Sequence, residues 1–408
     1  MRDIPPADGP VISKRTATAQ ALLRDPARRS GIDSFIVMDV MRMAAAEEAA
    51  GRSIIHMEVG QPATPAPLAA REAAKRAIDS NNLGYTLALG MTPLRERIAQ
   101  HYSESYGVTV DPGRVVVTTG SSAAFVLAFL ALFDAGAKVA LPSPGYPCYR
   151  HILTALGVDP VIVTTGPATR WMPDPADIAR LNALAGLDGL LVASPANPTG
   201  TMLTPGHLAA LTKVCRDNRI WFISDEIYHG LTYTQPAATA LQSSDDAIVI
   251  NSFSKYFSMT GWRVGWLIVP DALVRVVERL AQNLYIAPPA IAQVAALGAF
   301  DAREELQANR RVYAANREFL LQELPKAGFT DIVPADGAFY LYANVSAFTG
   351  DALGFCGRML REAGVAATPG VDFDAARGNQ YVRFSYAGST PDMQEAARRL
   401  HAWPLLKR

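Results

Sequence analysis

Cysteine is scarce in this chain: Cys148, Cys215 and Cys356 are the three among 408 residues. An odd number at these spacings forms neither a disulfide framework nor a metal-ligand motif. We therefore expect a cytoplasmic protein without a bound metal ion. Residues 1–20 mix prolines with charges and lack an apolar segment, so we expect no secretory signal there.

Long hydrophobic runs and net charge are lacking as well. The longest apolar stretch, Ala123–Phe133, is too short to span a bilayer, which needs about 20 residues, and it predicts a buried helix. Lysine plus arginine and aspartate plus glutamate number 38 each, so no strongly charged surface is indicated. We expect neither a nucleic-acid nor a membrane partner, and local groups must bind any anion.

Short apolar runs alternate with helical segments between residues 60 and 324. Seven runs are candidate strands: Val115–Thr118, Lys138–Leu141, Pro160–Thr164, Leu190–Ala193, Ile220–Ser224, Ala247–Asn251 and Val264–Ile268. Such strands, apolar throughout and separated by helices, are typical of a sheet that is covered on both faces. The sequence therefore predicts an α/β fold with a mostly parallel seven-stranded sheet flanked by helices.

A smaller α+β unit is predicted from the two ends of the chain. A helical pattern covers Phe35–Ala50, and a long helix is expected to end at Pro325, since proline breaks helical hydrogen bonds. Strand-like segments then follow at 339–343, 365–367 and 381–385, with helices at 351–362 and 391–402. We expect an N-terminal arm over 1–30, a large domain over 60–324 and a small domain from 31–59 and 325–408.

The segment Asn251–Gly265 carries the clearest chemistry. Lys255 follows a predicted strand together with Ser252 and Ser254, and Arg263 lies eight residues later. A lysine that is held in place and easily deprotonated can form an imine with an aldehyde. The hydroxyls and the guanidinium group suit a phosphate dianion. The alternative is a solvated loop with an incidental lysine.

Asp225 ends another predicted strand, at the edge where open α/β sheets bind ligands. A carboxylate there could keep a pyridine nitrogen protonated, which makes the ring an electron sink. Tyr228 lies three residues later and would point the same way if a helical turn follows. The alternative is that the Asp-Glu pair caps a helix.

Three further loops follow predicted strands. Asn197 lies between two prolines that stiffen its loop, which suits a hydrogen bond to a phenolate oxygen, although Asn-Pro is also a common turn signal. Gly120, Ser121 and Ser122 begin the apolar helix, so their amides could bind an anion or the serines could simply cap the helix. Tyr146 could stack on an aromatic ring or pack in the core.

Arg383 lies between apolar neighbours in the predicted strand Tyr381–Ser385. A buried guanidinium group needs a carboxylate partner or pays a desolvation cost. The partner could be the α-carboxylate of a substrate or an acidic side chain of the protein.

Together these segments resemble the class I and II aminotransferases of fold type I, which use pyridoxal phosphate, from about Phe35 to the C-terminus. Four motifs occur in the family's order: Asn-Pro-Thr-Gly at 197–200, Asp-Glu-x-Tyr at 225–228, Ser-x-Ser-Lys…Gly-Trp-Arg-x-Gly at 252–265, and the strand of Arg383. The joint match is far more specific than any single motif.

The resemblance implies a role for each motif. Lys255 would form the Schiff base, Asp225 would contact the pyridine nitrogen, and Asn197 and Tyr228 would contact the ring oxygen. Tyr146 would stack on the ring, and Arg383 with the backbone of Gly60 would hold the substrate carboxylate. The implied phosphate-binding residues are Gly120, Ser121, Ser122, Ser252, Ser254, Arg263 and, from the neighbouring subunit of a homodimer with shared active sites, Tyr85.

The implied activity is transfer of an amino group from an amino acid to a 2-oxo acid. Ser122 replaces a lysine found in some relatives that act on acidic substrates, which favours a neutral aliphatic or aromatic amino acid. The specificity pocket is expected from the N-terminal helix, the segment Tyr285–Pro289 and the partner subunit.

Other activities remain open from the sequence. The same motifs serve C–S β-lyases, decarboxylases and enzymes that resemble aminocyclopropane-carboxylate synthase. A ligand-sensing regulator would need a helix-turn-helix module, which the N-terminal arm lacks. A dinucleotide-dependent oxidoreductase would need a Gly-x-Gly-x-x-Gly turn after the first strand, and none is present.

Overall fold

The computed structural model describes residues 25–80 and 83–407, so the first 24 residues of the predicted arm lie outside the described part. The strands are β1 (Ile55–His56), β2 (Val115–Thr118), β3 (Lys138–Ser143), β4 (Asp159–Thr164), β5 (Gly189–Ala193), β6 (Trp221–Asp225), β7 (Ile248–Ser252), β8 (Gly265–Ile268), β9 (Tyr340–Asn344), β10 (Val365–Ala366), β11 (Thr368–Pro369) and β12 (Tyr381–Ser385). The α-helices are α1 (Ile36–Ala49), α2 (Leu68–Asp79), α3 (Thr92–Tyr106), α4 (Gly120–Leu132), α5 (Pro147–Ala155), α6 (Pro175–Ala185), α7 (Pro205–Asp217), α8 (Asp271–Leu284), α9 (Ala290–Ala299), α10 (Arg303–Lys326), α11 (Ala352–Arg358) and α12 (Thr390–Ala402).

A seven-stranded sheet forms the centre of the fold, in the order β2-β8-β7-β6-β5-β3-β4. Its strands pair in parallel except β8, which is antiparallel to both β2 and β7. The predicted mostly parallel sheet is therefore confirmed, and the seven strands lie within two residues of their expected positions.

Burial on both faces explains why the strands are apolar throughout. In β2, Val115 and Val117 pack in one hydrophobic cluster, and Val116 packs in a second cluster on the opposite face. Successive side chains of a strand point to opposite faces, so a strand with helices on both sides favours apolar residues on both faces.

The predicted end of the long helix at Pro325 is wrong by one residue, because α10 continues to Lys326. Proline lacks an amide hydrogen, but in the last turn of a helix this removes only one hydrogen bond. The helix ends where Gly328 adopts a φ of +90°, a conformation that glycine enters at little cost.

A second, antiparallel sheet has the order β11-β12-β9, and β1 pairs in parallel with β10. Arg383 in the middle strand is aligned with Thr368 on one side and Tyr342 on the other. The predicted strand at 365–367 corresponds to β10, and the separate strand β11 follows it and pairs with a different partner. No helix among residues 25–80 and 83–407 combines the length and apolar character needed to cross a membrane.

The side chain of Asp372 attaches α1 to this second sheet. Its carboxylate accepts hydrogen bonds from the backbone amides of Ile36 (3.2 Å) and Val37 (3.3 Å) at the start of the helix. These amides have no partner within the helix, and a negative charge is favourable at a helix N-terminus. This contact holds the first turn of α1 close to Arg383.

Candidate active site

The predicted chemical groups meet at the carboxyl edge of the large sheet. Strands β2, β3, β5, β6 and β7 all end at this edge, and each continues into a loop that carries predicted site residues. Because β8 is antiparallel, its first residue lies at the same edge, where Gly265 is aligned with Thr118 and with Ser252. The topology therefore brings Arg263 next to the start of α4 and the Lys255 loop.

A cavity of about 280 Å³ opens at this edge. Eleven of the predicted residues line it: Gly60, Ser121, Ser122, Tyr146, Asn197, Asp225, Tyr228, Ser254, Lys255, Arg263 and Arg383. Gly120 and Ser252 lie directly behind this lining. Tyr85 is not among the residues that line the cavity, and it is 87% exposed. The segment Tyr285–Pro289 also lies outside the lining.

Lys255 extends into the cavity with little to neutralise its charge. Its ammonium group donates a hydrogen bond to the carbonyl oxygen of Gly60 and forms no ion pair with a described residue. Burial lowers the pKa of Lys255 to about 8, and the nearby charges of Arg383 and Arg263 act in the same direction, against the opposing effect of Asp225. The amine is therefore much easier to deprotonate than an exposed lysine.

This pKa predicts how the cofactor-free protein reacts with reagents that modify amines. Only the neutral amine is nucleophilic, so the reactivity of Lys255 should rise with pH and level off above about 8, not above 10.5, the ordinary pKa of a lysine. Reductive methylation with formaldehyde, followed residue by residue with mass spectrometry, measures the profile. Exposed Lys213 provides the internal reference for the reagent. A midpoint near 10.5 for Lys255 would contradict the prediction.

Asp225 is buried at the centre of the cavity and has two hydrogen-bond partners. It accepts a hydrogen bond from the Tyr149 hydroxyl and another from the backbone amide of Ile227 (3.1 Å). Burial raises the pKa of Asp225 to about 6, so the carboxyl group is ionised at neutral pH. A buried carboxylate of this kind favours a cationic group beside it.

The neighbouring Glu226 has a structural role. Its Oε1 accepts hydrogen bonds from Thr239 (2.9 Å), Ser224 (3.1 Å) and the amide of Ala240 (2.8 Å), which begins a short 3₁₀ helix. Of the Asp-Glu pair, Glu226 therefore binds the first amide of a helix, as the capping alternative predicts, whereas Asp225 points into the cavity.

Several donors and positive groups surround one end of the cavity. The guanidinium group of Arg263 lies against Gly120, where an added Cβ would stand 2.4 Å from Nη2. Gly120 adopts a φ of +74° and begins α4, so the positive end of this helix faces the same space. The hydroxyls of Ser252 and Ser254 lie 2.9 Å apart beside it. This end of the cavity suits a phosphate group.

Replacing Gly120 with alanine should weaken cofactor binding by about tenfold or more. The methyl group would displace Arg263, and the left-handed backbone would cost on the order of 1 kcal/mol. Equilibrium titration of the cofactor-free variant with pyridoxal phosphate measures the effect.

Gly136→Ala is the matched control, because Gly136 has a φ of +85° but nothing within 4 Å of the added methyl group. The control should lose a similar amount of stability and keep its cofactor affinity. Equal affinities for both variants would contradict the proposed role of Gly120.

Arg383 is 2% exposed, yet no acidic side chain among the described residues pairs with it. It donates hydrogen bonds to the carbonyl of Glu58, to Oδ1 of Asn197 (2.9 Å) and to Oγ1 of Thr368 (3.1 Å). Its Nε has no partner. A buried cation held only by neutral oxygen atoms, with one donor unused, suits an incoming carboxylate.

Sequence reasoning overlooked two tyrosines of the site. Tyr149 donates a hydrogen bond to Asp225, and its position three residues after Tyr146, one turn along α5, was an available signal. Tyr340 begins β9, and its hydroxyl lies 2.7 Å from that of Tyr228. The Arg383 guanidinium carbon lies 4.4 Å from the centre of the Tyr340 ring. No local pattern in the sequence marks Tyr340.

Backbone geometry at Gly60 depends on the same tyrosine. A Cβ at Gly60 would stand 2.0 Å from the Tyr340 hydroxyl oxygen, so no larger residue fits here without moving that ring. The close approach leaves the Gly60 carbonyl oxygen in contact with Lys255.

Tyr146 also lines the cavity. Its ring packs edge-on against Phe35 of the N-terminal segment, with ring centres 5.8 Å apart.

The residues at this edge fit one cofactor. A phosphate end, a buried carboxylate and an easily deprotonated lysine match the phosphate, the pyridine nitrogen and the aldehyde of pyridoxal phosphate. Fold and site together define a pyridoxal-phosphate enzyme of fold type I. The sequence model of the family "Aminotransferase class I and II" matches residues 52–400. The chain belongs to this family of pyridoxal-phosphate-dependent aminotransferases.

Individual relatives agree with this assignment. A valine–pyruvate aminotransferase of Mycobacterium tuberculosis is 49% identical over 381 residues, which cover 92% of this chain and 98% of the relative. A crystal structure of an aminotransferase from the same organism superposes with a TM-score of 0.91 at 48% identity, covering 93% and 99% of the two chains. The aspartate aminotransferase of Thermus thermophilus has a TM-score of 0.88 at 30% identity, covering 93% and 100%.

Proposed function

We propose that this aminotransferase acts on a neutral aliphatic amino acid and passes the amino group to a small 2-oxo acid. The observation that carries the proposal is the distribution of charge in the cavity. Its basic lining residues are Lys255, Arg263 and Arg383, and each already has a part in the site. Among the described residues of one subunit that line the cavity, none remains to pair with a second carboxylate of an acidic substrate.

The wall beside Arg383 supports a hydrophobic substrate side chain. Helix α1 and the residue before it contribute Phe35, Val37, Met38 and Met41 to the cavity. These apolar groups would gain contact with an aliphatic side chain and would leave a charged one without a partner. The likeness to a valine–pyruvate aminotransferase supports valine as donor and pyruvate as acceptor.

Each residue of the site has a separate role in the proposed reaction. When bound, pyridoxal phosphate supplies an aldehyde that condenses with amines and a ring that withdraws electrons from the substrate's α-carbon. Arg383 holds the substrate carboxylate, and the ionised Asp225 keeps a positive charge on the ring nitrogen. The amine of Lys255, whose pKa is lowered, would take the proton from the α-carbon of the substrate and would return it to the cofactor carbon that is bonded to the transferred nitrogen.

Asn197 and Tyr228 complete the proposed site at the ring oxygen. Both side chains are buried in the cavity wall, and Asn197 also accepts a hydrogen bond from Arg383. A single side chain would thus contact both the cofactor ring and the residue that holds the substrate. This link places the substrate in a fixed position relative to the ring.

We further propose a cytoplasmic homodimer with shared active sites. Tyr85 is 87% exposed, and Leu87 and Ile286 are exposed at 63% and 54%. Apolar groups of this size at the surface support burial against a second copy, where Tyr85 would reach the partner's phosphate group. The cysteines Cys148, Cys215 and Cys356 are free, which supports a reducing compartment.

We also propose that the chain divides into three parts. These are an arm (1–30), a small domain (31–59 and 325–408) and a large domain (60–324). One hydrophobic cluster surrounds β9 and β12, whereas two others cover the faces of the large sheet. Separate cores of this kind support two units that meet at the cavity.

A screen of amino donors against pyruvate and 2-oxoglutarate tests the substrate proposal. With pyruvate as acceptor, kcat/KM for L-valine should exceed that for L-aspartate by at least tenfold, since an unpaired carboxylate costs more than about 1.4 kcal/mol in an apolar pocket. L-Phenylalanine distinguishes an aliphatic from an aromatic preference. Higher kcat/KM for L-aspartate than for L-valine would overturn the proposal, and products formed without an acceptor would indicate a lyase or decarboxylase.

A further inference from the structure

His229 follows Tyr228 directly but has no part in the proposed reaction. His229 is 5% exposed, and both of its ring nitrogens have hydrogen-bond partners. Nε2 lies 3.0 Å from the carbonyl oxygen of Ser194, and Nδ1 lies 2.8 Å from the hydroxyl of Tyr106. Ser194 begins the loop that carries Asn197. One side chain therefore joins the segments of the two proposed ring-oxygen donors.

The partners of His229 determine which nitrogen carries the hydrogen. Burial lowers the pKa of His229 to about 3, so the ring is neutral and has one N–H group. A carbonyl oxygen can only accept, so Nε2 donates to Ser194. Nδ1 then accepts from Tyr106, whose hydroxyl stays protonated because burial raises its pKa.

Glu226 is the acidic group that faces this ring. Its Oε2 lies 3.5 Å from Nδ1, and burial raises the pKa of Glu226 to about 8, so the carboxyl group is neutral at pH 7. His101 lies on the other side and burial lowers its pKa to about 4. Because the His229 ring itself is neutral, hydrogen bonds and not an ion pair hold it in position.

The sheet ends at the edge of the cavity, so the Asn197 loop and the Tyr228 turn lie beyond its strand pairing. Strands β5 and β6 are paired up to Ala193 and Asp225, and one further bond joins the Ser194 amide to the Asp225 carbonyl at 3.2 Å. Beyond it the chains leave the sheet, one as the Asn197 loop and the other as the Tyr228 turn. The bond from His229 to Ser194 continues the connection past the end of the sheet.

We propose that His229 is a positioning residue that clamps the Asn197 loop to the Tyr228 turn and thereby fixes both donors to the cofactor's ring oxygen. This inference rests on the proposed roles of Asn197 and Tyr228. An ordinary core histidine would contribute only to folding, so its loss would lower stability without changing the environment of the cofactor.

The test uses the holoenzyme and variants that remove one bond at a time. His229→Gln places an amide nitrogen near the position of Nε2 and keeps the donor to Ser194, whereas His229→Asn places it near Nδ1 and cannot reach Ser194. Tyr106→Phe removes only the partner of Nδ1. His229→Phe fills the space and removes both bonds. Two readouts are followed: the rate of cofactor release and the pH midpoint of the bound cofactor's absorbance.

Release should be about tenfold faster in His229→Phe and His229→Asn, since loss of the bond to Ser194 displaces both donors to the ring oxygen. The absorbance midpoint should rise in both, because a phenolate oxygen with misplaced donors is less stable. His229→Gln and Tyr106→Phe should stay within about threefold of the wild type.

Equal release rates and midpoints for the Gln and Asn variants would overturn the clamp, and this comparison holds even if the Phe variant fails to fold. A fall in thermal stability with both readouts unchanged would also overturn it. Failure of the proposed function is a separate result: it would be seen in the wild type, as a protein without absorbance from a lysine-bound cofactor.

Discussion

Replacing Lys255 with alanine is expected to abolish turnover and the absorbance of the lysine-bound cofactor together. The residue has two tasks in the proposed reaction, covalent attachment of the cofactor and transfer of the α-proton. Loss of a positioned general acid–base group lowers kcat by about 10²–10⁴-fold, and the additional loss of attachment places the expected effect at the upper end, near 10⁴-fold. Steady-state kinetics and absorbance spectra of the same preparation measure both.

Two controls separate chemistry from folding in this experiment. Lys213→Ala changes an exposed lysine and should leave both kinetics and spectrum as in the wild type. A small added amine should restore part of the turnover of Lys255→Ala, because it replaces the missing proton acceptor in the cavity. Turnover within tenfold of the wild type without added amine would remove Lys255 from the mechanism.

Replacing Arg383 with glutamine should raise KM for the amino donor and lower kcat/KM by about a hundredfold or more. Removing one partner of a buried, hydrogen-bonded charge pair costs about 2–5 kcal/mol, and the substrate carboxylate would lose its cation. Glutamine keeps a hydrogen-bond donor and part of the side-chain volume beside Asn197 and Thr368, so the second sheet should stay folded. Measured kcat/KM for L-valine, with Tm as the folding check, decides the outcome.

Substrate analogues make this prediction specific to the carboxylate. An amine that lacks the carboxylate, such as isobutylamine, should react slowly and equally with the wild type and Arg383→Gln. Arg383→Lys should be intermediate, because lysine keeps the charge but not the planar pair of donors. An equal loss of kcat/KM for L-valine and isobutylamine would show that Arg383 acts on the fold and not on the carboxylate.

The large sheet could be predicted because its strands are buried on both faces. Each strand contains an apolar run, such as Val115–Val117 in β2, that contrasts with the helices around it. Strands β1 and β11 contain two residues each and are held by pairing between distant segments, so no local pattern indicates them. Helix α10 continues one residue past Pro325. The turn that ends it needs the backbone conformation of Gly328, so Pro325 alone does not indicate where the helix ends.

The site was predictable where a motif directly follows a strand. Lys255 and Asn197 lie just beyond β7 and β5, Asp225 ends β6, and the parallel topology alone brings such strand ends together. The family resemblance assigned the roles, and these remain proposals. Tyr340 and the carbonyl of Glu58 could not be found in this way, since they reach the cavity through packing between the two sheets.

Reduction of the purified holoenzyme with borohydride, followed by peptide mass spectrometry, tests the central assignment most directly. Borohydride converts an imine to a stable amine, so the lysine that holds pyridoxal phosphate becomes permanently labelled. We predict one labelled peptide, modified at Lys255, with stoichiometry close to one per chain. Label on another lysine, or none in a preparation that is active, would contradict the account of this site.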